Sequence, residues 1–353
     1  MLASVNSAGH AIIKVSPIKP CSNFSLPGPV ANASPARLWQ VDNTTTLASG
    51  ANRESVKITS NDLYGIGTLQ VWDAVHTPYG CSVWPAMWSV GQNWPAQGEI
   101  DTFEGVNALT YNAMTLHTAN GCVTSQGNET GTLACKYPFL RLPCQSPLAG
   151  ADLLTRFADQ YCSAYDNANS GCGVTDNTNV SYGAAFAANG GGVWATELAP
   201  SGVSVWFFPR PSVPDNLQNS SMIPDPSTWG TPSAHFSNTT CSIADFFGDQ
   251  QLVIDITLCG DWAGNSYVFS ETCTGTCTDL VTTPSNYDQA FFEIRSVRVY
   301  TDTTKQEQSE TPTATASGSA SASTGKTSSA GRSVAGSTAA ALFAVAAAAV
   351  AMA

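Results

Sequence analysis

Short apolar runs alternate with turn-forming residues along most of the chain, from about residue 41 to residue 300. The clearest strand candidates are Val203–Phe208, Leu252–Leu258 and Phe291–Tyr300. In the first of these, Val203, Val205 and Phe207 fall on one face, which is the period-two pattern of a strand with one buried side. Long amphipathic helical periodicity is absent from the region. Many short strands separated by Gly, Asn, Ser and Pro predict an all-β fold, a sandwich or a barrel.

The two ends of the chain differ from this pattern. Residues 1–40 are rich in Pro and Ser and predict an irregular segment; they contain no apolar stretch typical of a secretion signal, so we expect a missing or misassigned start. Residues 301–333 are nearly all Thr, Ser, Ala and Gly, which is typical of a disordered, O-glycosylated stalk.

Residues 334–353 end in an Ala-rich apolar run that is short for a span of about 30 Å of hydrocarbon. Small residues, a polar spacer and a terminal apolar tail instead favour a GPI-attachment signal. A transmembrane helix and a tail without function are the alternatives. We therefore expect contact with a membrane only through such an anchor.

Composition narrows the classes of function. Charged residues make up 11% of the 353 residues and the net charge is −12, with no basic stripe along the chain. Since nucleic-acid binding needs clustered Lys and Arg, nucleic acid is not an expected partner. Hydrophobic residues make up 43%, which is enough for a substantial core.

Cysteines and glycosylation sequons favour an extracellular location. The 11 cysteines are scattered singly, and the one pair with metal-like spacing, Cys273 and Cys277, has no histidine near it, so disulfides are favoured over zinc. The odd count leaves one cysteine over, for which we expect Cys21. The sequon asparagines are Asn23, Asn32, Asn43, Asn128, Asn179, Asn219 and Asn238.

Three acids, Glu99, Asp101 and Glu104, lie within six residues of an acid-poor chain. In an extended strand Glu99 and Asp101 share a face, whereas Glu104, five positions after Glu99, points the other way. One inserted residue, a β-bulge for which Thr102 is the candidate, returns Glu104 to the face of the other two acids. The same bulge places the apolar residues between the acids together on the buried side. The positions of the three acids and of the apolar residues between them therefore both predict the bulge.

Three carboxyl groups on one face repel one another, which destabilises the fold unless a reaction uses them. Glycoside hydrolysis uses two, an acid and a second carboxylate, and in retaining enzymes these stand about 5–5.5 Å apart. A solvated loop or a calcium site is the alternative for the acids taken alone. Calcium favours Asp- and Asn-rich loops with a Gly turn, not alternation with Ile and Phe. We expect no metal and no cofactor.

The segment WPAMWSVGQNWPAQGEIDTFEG, residues 84–105, resembles the laminarinase-type branch of glycoside hydrolase family 16, whose hallmark is E-x-D-x-x-E. It is most similar to the fungal endo-1,3(4)-β-glucanases. Further matching segments extend the resemblance over about residues 41–300: Ala113–Thr118, Gly190–Trp194, Val205–Arg210 and Cys259–Gly264. The resemblance implies that residues 41–300 form a catalytic domain with a concanavalin-like β-jelly-roll sandwich and a substrate cleft on its concave face.

The resemblance also implies roles for the acids. Glu99 would be the nucleophile, Asp101 the assisting acid and Glu104 the general acid/base. His117 matches a histidine on the neighbouring strand that lines the catalytic centre of the family, although a histidine in a strand is more often a packing residue.

Aromatic residues near the acids are candidates for sugar binding, because the apolar C–H faces of pyranose rings pack flat on indole rings. By the resemblance, Trp88, Trp94 and Trp262 form these platforms. The tryptophans expected in the core are Trp84, Trp194 and Trp206. Arg210 has two open interpretations, a hydrogen bond to a sugar hydroxyl or a structural salt bridge.

One departure from the family concerns the N-terminal region. Family members carry further strand-forming sequence ahead of the part that matches residue 41 onward, and this chain has residues 1–40 in its place. Those strands would help to complete both sheets, so we expect the domain to be incomplete at this end.

We expect a retaining endo-hydrolase of β-1,3- or mixed β-1,3(4)-glucans that works through a covalent glucosyl-enzyme, as an extracellular monomer. A cell-wall transglycosylase is one alternative, but surface glucan transferases of the family usually carry the shorter E-x-D-x-E motif. An inactive glucan-binding protein is the other, but degenerate members normally lose an acid and here all three are present.

Overall fold

The computed structural model describes residues 2–5, 11–14, 37–134, 159–219 and 222–302. Cys21, the expected stalk beyond residue 302 and the expected anchor signal lie outside these ranges. Within them, no helix combines the length and apolar character that a membrane crossing requires.

Strands dominate the described residues. They are β1 Leu2–Val5, β2 Ala11–Lys14, β3 Arg37–Gln40, β4 Lys57–Thr59, β5 Thr68–His76, β6 Val83–Gly91, β7 Glu99–Glu104, β8 Ala113–His117, β9 Val123–Ser125, β10 Thr132–Leu133, β11 Asp159–Tyr161, β12 Cys172–Thr175, β13 Gly192–Ala199, β14 Gly202–Pro209, β15 Ala234–Ser237, β16 Gln250–Leu258 and β17 Phe291–Thr301. The α-helices are short: α1 Gly183–Ala188, α2 Asp215–Gln218, α3 Ile243–Phe246, α4 Gly260–Ala263, α5 Ser266–Thr272 and α6 Cys277–Val281. The 3₁₀ turns are Asn167–Asn169, Arg210–Ser212, Pro226–Thr228 and Pro284–Tyr287.

The strands form two large antiparallel sheets. The larger has the order β1-β2-β17-β5-β13-β14-β15, with β3 also paired to β17, and the smaller has the order β10-β12-β8-β7-β6-β16-β4. A separate pair joins β9 and β11. Sequence neighbours such as β7 and β8 pair directly, whereas β5 lies between β17 and β13. The all-β sandwich expected from the pattern of short strands is confirmed.

The core lies between the two sheets. Trp72 and Trp194 of the larger sheet and Met87 and Phe103 of the smaller are each at most 1% exposed. Burying one such side chain contributes roughly 1.5–3 kcal/mol, so this layer is a main source of stability. The strand expected at residues 203–208 is confirmed, and its predicted apolar face is buried between the sheets.

The expectation of an irregular segment at residues 1–40 is wrong at three places, where β1, β2 and β3 occur. Both β2 and β3 pair with β17. Their partner is at the other end of the domain sequence, which local composition does not reveal. These strands extend the larger sheet on the side where we expected it to be incomplete.

Four disulfides join cysteines of the described residues, which confirms the expectation of disulfides. They are Cys81–Cys273, Cys122–Cys241, Cys162–Cys172 and Cys259–Cys277. Two of them link residues 192 and 119 positions apart. Because cross-links over long loops restrict the unfolded chain most, these two contribute most to stability in the chain-entropy account.

Candidate active site

A β-bulge in β7 turns the acidic residues toward one side of the smaller sheet. On the β6 side, Trp88 pairs with Asp101 and its neighbour Met87 pairs with Phe103, so Thr102 has no partner in that ladder. The pairing with β8 shifts at the same place. All three acids line one cavity, whereas the apolar residues between them are buried in the core. The predicted bulge and its extra residue are confirmed.

The bulge is held by a buried side chain in place of ladder hydrogen bonds. The backbone N–H of Glu104 donates to Asn112 Oδ1 at 2.8 Å, and Asn112 Nδ2 donates to the carbonyl of Thr102 at 3.0 Å. Thr102 Oγ1 lies 2.6 Å from Thr196 Oγ1 of the other sheet. Since buried backbone groups need partners, these contacts stabilise the irregular register that presents Glu104.

A cavity of about 700 Å³ lies over the acids. Its walls include three tryptophans and a fourth acid: Trp84, Trp88, Trp262 and Asp255. The rings of Trp84 and Trp262 meet edge to face with centroids 5.7 Å apart. Indole rings beside carboxyl groups form a surface suited to a sugar ring, whose C–H faces are apolar and whose hydroxyls are polar.

Trp84 corrects one expectation. We expected it in the core with Trp194, but it lines the cavity, and its Nε1–H donates to Glu104 Oε1 at 2.8 Å. The signal was present in the sequence, because Trp84 and Trp88 are four residues apart on one strand and therefore share a face. Trp206 is buried as expected, but on the outer face of the larger sheet, where its ring meets Trp229.

Trp94 lies beside the cavity and not in its wall. It is 44% exposed, yet its side chain donates a hydrogen bond to the carboxylate of Glu99. Of the three tryptophans expected to form sugar platforms, Trp88 and Trp262 thus line the cavity, and Trp94 contacts the first acid from the loop before β7.

Arg210 lies away from the cavity. Its Nη2 donates to Asp73 Oδ1 at 2.6 Å and to the carbonyl of Ala74 at 2.7 Å, and its Nε donates to the carbonyl of Gly190. Asp73 alternates with core residues of β5, so this ion pair is on the outer face of the larger sheet, opposite the acids. Of the two interpretations left open for Arg210, sugar binding and a structural salt bridge, these contacts fit the salt bridge.

His117 lies next to the acids, where the family resemblance predicts it. It pairs with Glu99 across the ladder, and its Nε2 is 3.4 Å from Asp101 Oδ2. Glu99, Asp101 and His117 each offer one ligand atom, and these atoms lie within 4.8 Å of one another, so the three side chains could hold a cation. Our expectation of no metal remains a prediction.

Burial has the largest effect on the pKa values of the three acids. It raises the pKa of Glu99 to about 7, against a lowering by the hydrogen bond from Trp94. It raises the pKa of Glu104 to about 8, against a lowering by the hydrogen bond from Trp84. Burial, followed by the charges of Glu99 and Glu104, holds the pKa of Asp101 well above its usual range. Burial thus favours the protonated form of all three acids.

Asp255 and Asn169 line the cavity but were not expected there. Asp255 Oδ1 accepts a hydrogen bond from Trp88 Nε1 at 3.3 Å, and its other oxygen is 3.9 Å from Lys57 Nζ. Burial raises the pKa of Asp255 as well. These residues come from strands and loops far away in sequence, so no local motif pointed to them.

Comparison with known proteins shows the family of the chain. The XgeA-like catalytic domain model of family GH16 matches residues 29–300. The probable glycosidase C21B10.07 of Schizosaccharomyces pombe is 37% identical over 264 residues, which are 74% of this chain and 57% of that protein. The endo-1,3(4)-beta-glucanase xgeA of Emericella nidulans is 34% identical over 271 residues, 73% of this chain and 38% of that protein. The chain thus spans less than two thirds of the length of these relatives.

Solved structures show the same fold. Laminarinase 16A of Phanerochaete chrysosporium, with β-glucans in its donor and acceptor sites, is 38% identical with a TM-score of 0.65, over 75% of this chain and 83% of that one. An elongating family 16 β-1,3-glucosyltransferase is 34% identical with a TM-score of 0.63, over 85% and 86%. The expected jelly roll is confirmed, and the chain belongs to glycoside hydrolase family 16.

Proposed function

We propose that this protein is a retaining endo-hydrolase of β-1,3- or mixed β-1,3(4)-glucans. The observation that carries the proposal is the bulge at Thr102, which puts Glu99, Asp101 and Glu104 on one side of the sheet in a cavity walled by tryptophans. Relatives named as endo-1,3(4)-beta-glucanases support the substrate class. Two carboxyl groups beside one sugar site are what the retaining reaction needs.

In the first step, Glu104 donates its proton to the glycosidic oxygen while the carboxylate of Glu99 attacks the anomeric carbon. The bond to the leaving sugar breaks and a covalent glucosyl-enzyme forms. In the second step, the Glu104 carboxylate takes a proton from water, whose oxygen attacks the same carbon and releases Glu99. The raised pKa of Glu104, caused by burial, suits its role as the general acid.

Asp101 and His117 assist in this proposal. Asp101 shares the face of Glu99 on β7, and its raised pKa favours the neutral form, so it adds no negative charge beside the attacking carboxylate of Glu99. The indole of Trp94 donates to the same carboxylate. His117, 3.4 Å from Asp101, fixes the assisting acid from its other side.

The test uses laminarin, lichenan and a β-1,6-glucan as substrates, with product size and anomeric form measured together. We expect cleavage of the first two within the chain, and proton NMR to show the β-anomer as the first product. Glu99→Gln and Glu104→Gln should each lose turnover on laminarin. Glu54→Gln, at an exposed position outside the cavity, serves as the control and should retain it. An α-anomer as first product would refute the retaining mechanism.

A second candidate is glucan transfer, in which a sugar hydroxyl replaces water in the second step. The likeness to an elongating family 16 β-1,3-glucosyltransferase favours it. Mass spectrometry of products from a short β-1,3-glucan separates the two activities, because transfer gives chains longer than the donor. If such chains dominate at low donor concentration, transfer is the main activity and hydrolysis the side reaction.

We further propose an extracellular monomer tethered through a GPI anchor. Disulfides among the described residues and exposed sequon asparagines, such as Asn128, Asn179 and Asn219, support the oxidising and glycosylating route. Release of the protein from cells by a phosphatidylinositol-specific phospholipase tests the anchor. Gel filtration of the released protein tests the oligomeric state.

A further inference from the structure

The segment Cys162–Cys172, here called the cysteine loop, forms one wall of the cavity. A disulfide joins its two ends, and its residues Ala168 to Gly171 line the cavity. Its beginning is fastened to the chain just after β8, since the N–H of Thr118 donates to the carbonyl of Cys162 at 2.8 Å and the N–H of Ala164 donates to the carbonyl of Thr118 at 2.8 Å. The loop is therefore fixed at the end of the strand that carries His117.

The backbone of the cysteine loop adopts an unusual conformation where it faces the cavity. Ala168, Asn169 and Gly171 have φ values of 54°, 58° and 59°, all in the left-handed region. Alanine adopts this region at a conformational cost, whereas Asn and Gly accept it more readily. A conformation that one residue disfavours persists only where its surroundings fix it, and such sites often serve function.

This backbone brings the loop against the imidazole of His117. Asn169 Oδ1 lies 3.0 Å from His117 Nδ1. Gly171 lies so close that a side chain at its position would come within 2.8 Å of His117 Cε1. Asn169 and Gly171 thus confine the ring at Nδ1 and Cε1, and Asp101 Oδ2 faces Nε2 at 3.4 Å.

The contact with Asn169 determines which ring nitrogen carries the proton. An amide oxygen only accepts hydrogen bonds, so with Asn169 Oδ1 facing the ring this contact is a hydrogen bond when Nδ1 of His117 carries the proton. The neutral ring then has its lone pair on Nε2, directed at Asp101. A carboxyl group there can donate its proton to Nε2, and Asp101 has the raised pKa that keeps such a proton in place.

We propose that Asn169 is a positioning residue, which holds His117 as the Nδ1–H tautomer so that its Nε2 accepts a hydrogen bond from Asp101. The left-handed backbone of the cysteine loop places Asn169 for this purpose. The consequence for turnover rests on the proposed function, whereas the tautomer itself is a property of the free protein. The sequence predicted His117 as a site residue, but it did not predict Asn169 as the partner of its Nδ1.

The decisive variant is Asn169→Gly, because Gly accepts the same backbone conformation and lacks the acceptor. Asn169→Asp restores an acceptor at the same place, and Tyr165→Phe is the control on the exposed part of the same loop. Long-range ¹H–¹⁵N spectra at about pH 8, where imidazole is neutral, report the tautomer. The His117 signal is assigned from its absence in His117→Gln.

We expect the Nδ1–H tautomer in the wild-type protein, in Tyr165→Phe and in Asn169→Asp, and a shift to the Nε2–H tautomer in Asn169→Gly. With laminarin as substrate, kcat of Asn169→Gly should fall about tenfold, the effect of losing one hydrogen bond, with KM changed less than about twofold. Far-UV circular dichroism confirms that each variant is folded.

Two results would overturn the proposal: an unchanged tautomer in Asn169→Gly, or a kcat equal to that of Tyr165→Phe. If the wild-type protein does not cleave laminarin, the proposed function fails, and the spectra of the same variants still decide whether Asn169 sets the tautomer. The two failures are therefore distinguishable.

Discussion

Replacing Asn112 with Ala removes the side chain that holds the bulge. The variant loses the hydrogen bond from the N–H of Glu104 and the one to the carbonyl of Thr102, at 2.8 and 3.0 Å. Asn112 is completely buried, so water cannot replace either contact without opening the site. Without these contacts the bulge is held less firmly, so Glu104 is displaced from its position in the cavity.

The magnitude follows from these two contacts. Each hydrogen bond contributes about 1 kcal/mol net, and a buried polar group left without a partner costs about 1–3 kcal/mol. We therefore expect the free energy of unfolding to fall by about 2–5 kcal/mol, within the roughly 5–15 kcal/mol of a typical domain, so the variant still folds. A displacement of about 1 Å at Glu104 should reduce kcat by about two orders of magnitude.

The assay pairs urea unfolding with kcat on laminarin. The matched control is Asn286→Ala, because the Asn286 side chain also makes two hydrogen bonds, to the carbonyl of Cys81 and to Ser82 Oγ, away from the acids. The control should lose stability and keep its kcat. If Asn112→Ala retains kcat within about twofold of Asn286→Ala, the bulge does not depend on this amide and the reasoning is refuted.

Three further predictions concern charge. Trp84→Phe removes a hydrogen bond that lowers the pKa of Glu104, so the alkaline limb of the pH–rate profile should move up by about one pH unit; a downward shift would contradict this. Because burial raises the pKa of Glu104 from 4.5 to about 8, the folded state binds this proton more tightly than the unfolded state, and stability should fall as pH rises through that range. Thermal melting should thus be higher at about pH 5 than at about pH 8, with a smaller difference in Glu104→Gln. Arg210→Ala breaks the contact with Asp73, so it should lower the free energy of unfolding by about 1–3 kcal/mol and leave KM unchanged. A several-fold rise in KM would instead indicate that Arg210 binds sugar.

The bulge was predictable because its signal is local. Acids and apolar residues of one strand satisfy a single register only if Thr102 is extra, and the pairing of β6 with β7 has that register. The roles of the three acids were predicted from the family motif, and they stay predictions. The prediction that Trp84 lies in the core was wrong, although the alternation of side chains along a strand could have corrected it. Trp84 and Trp88 are four residues apart and therefore share a face of β6.

The remaining parts of the site depend on pairing between distant segments. Asp255 reaches the cavity from β16, and Asn169 from the cysteine loop, so neither belongs to a motif with the acids. Arg210 depends on a distant partner too. Its position at the end of a strand allowed two roles, and only the contact with Asp73 on β5 distinguishes them. Strands β2 and β3 were missed for the same reason, since β17 supplies their hydrogen bonds.

Two cross-links, Cys259–Cys277 and Cys81–Cys273, hold the ends of the segment that contains helices α4 and α5, and α4 carries Trp262. A glucan chain would therefore meet a groove wall that is already shaped, and little of the binding free energy would go into ordering protein. Because these cross-links are disulfides, the affinity for glucan would depend on whether the medium is oxidising or reducing. A thiol-rich medium would loosen this wall and weaken glucan capture while the packed layer between the sheets still held the fold together.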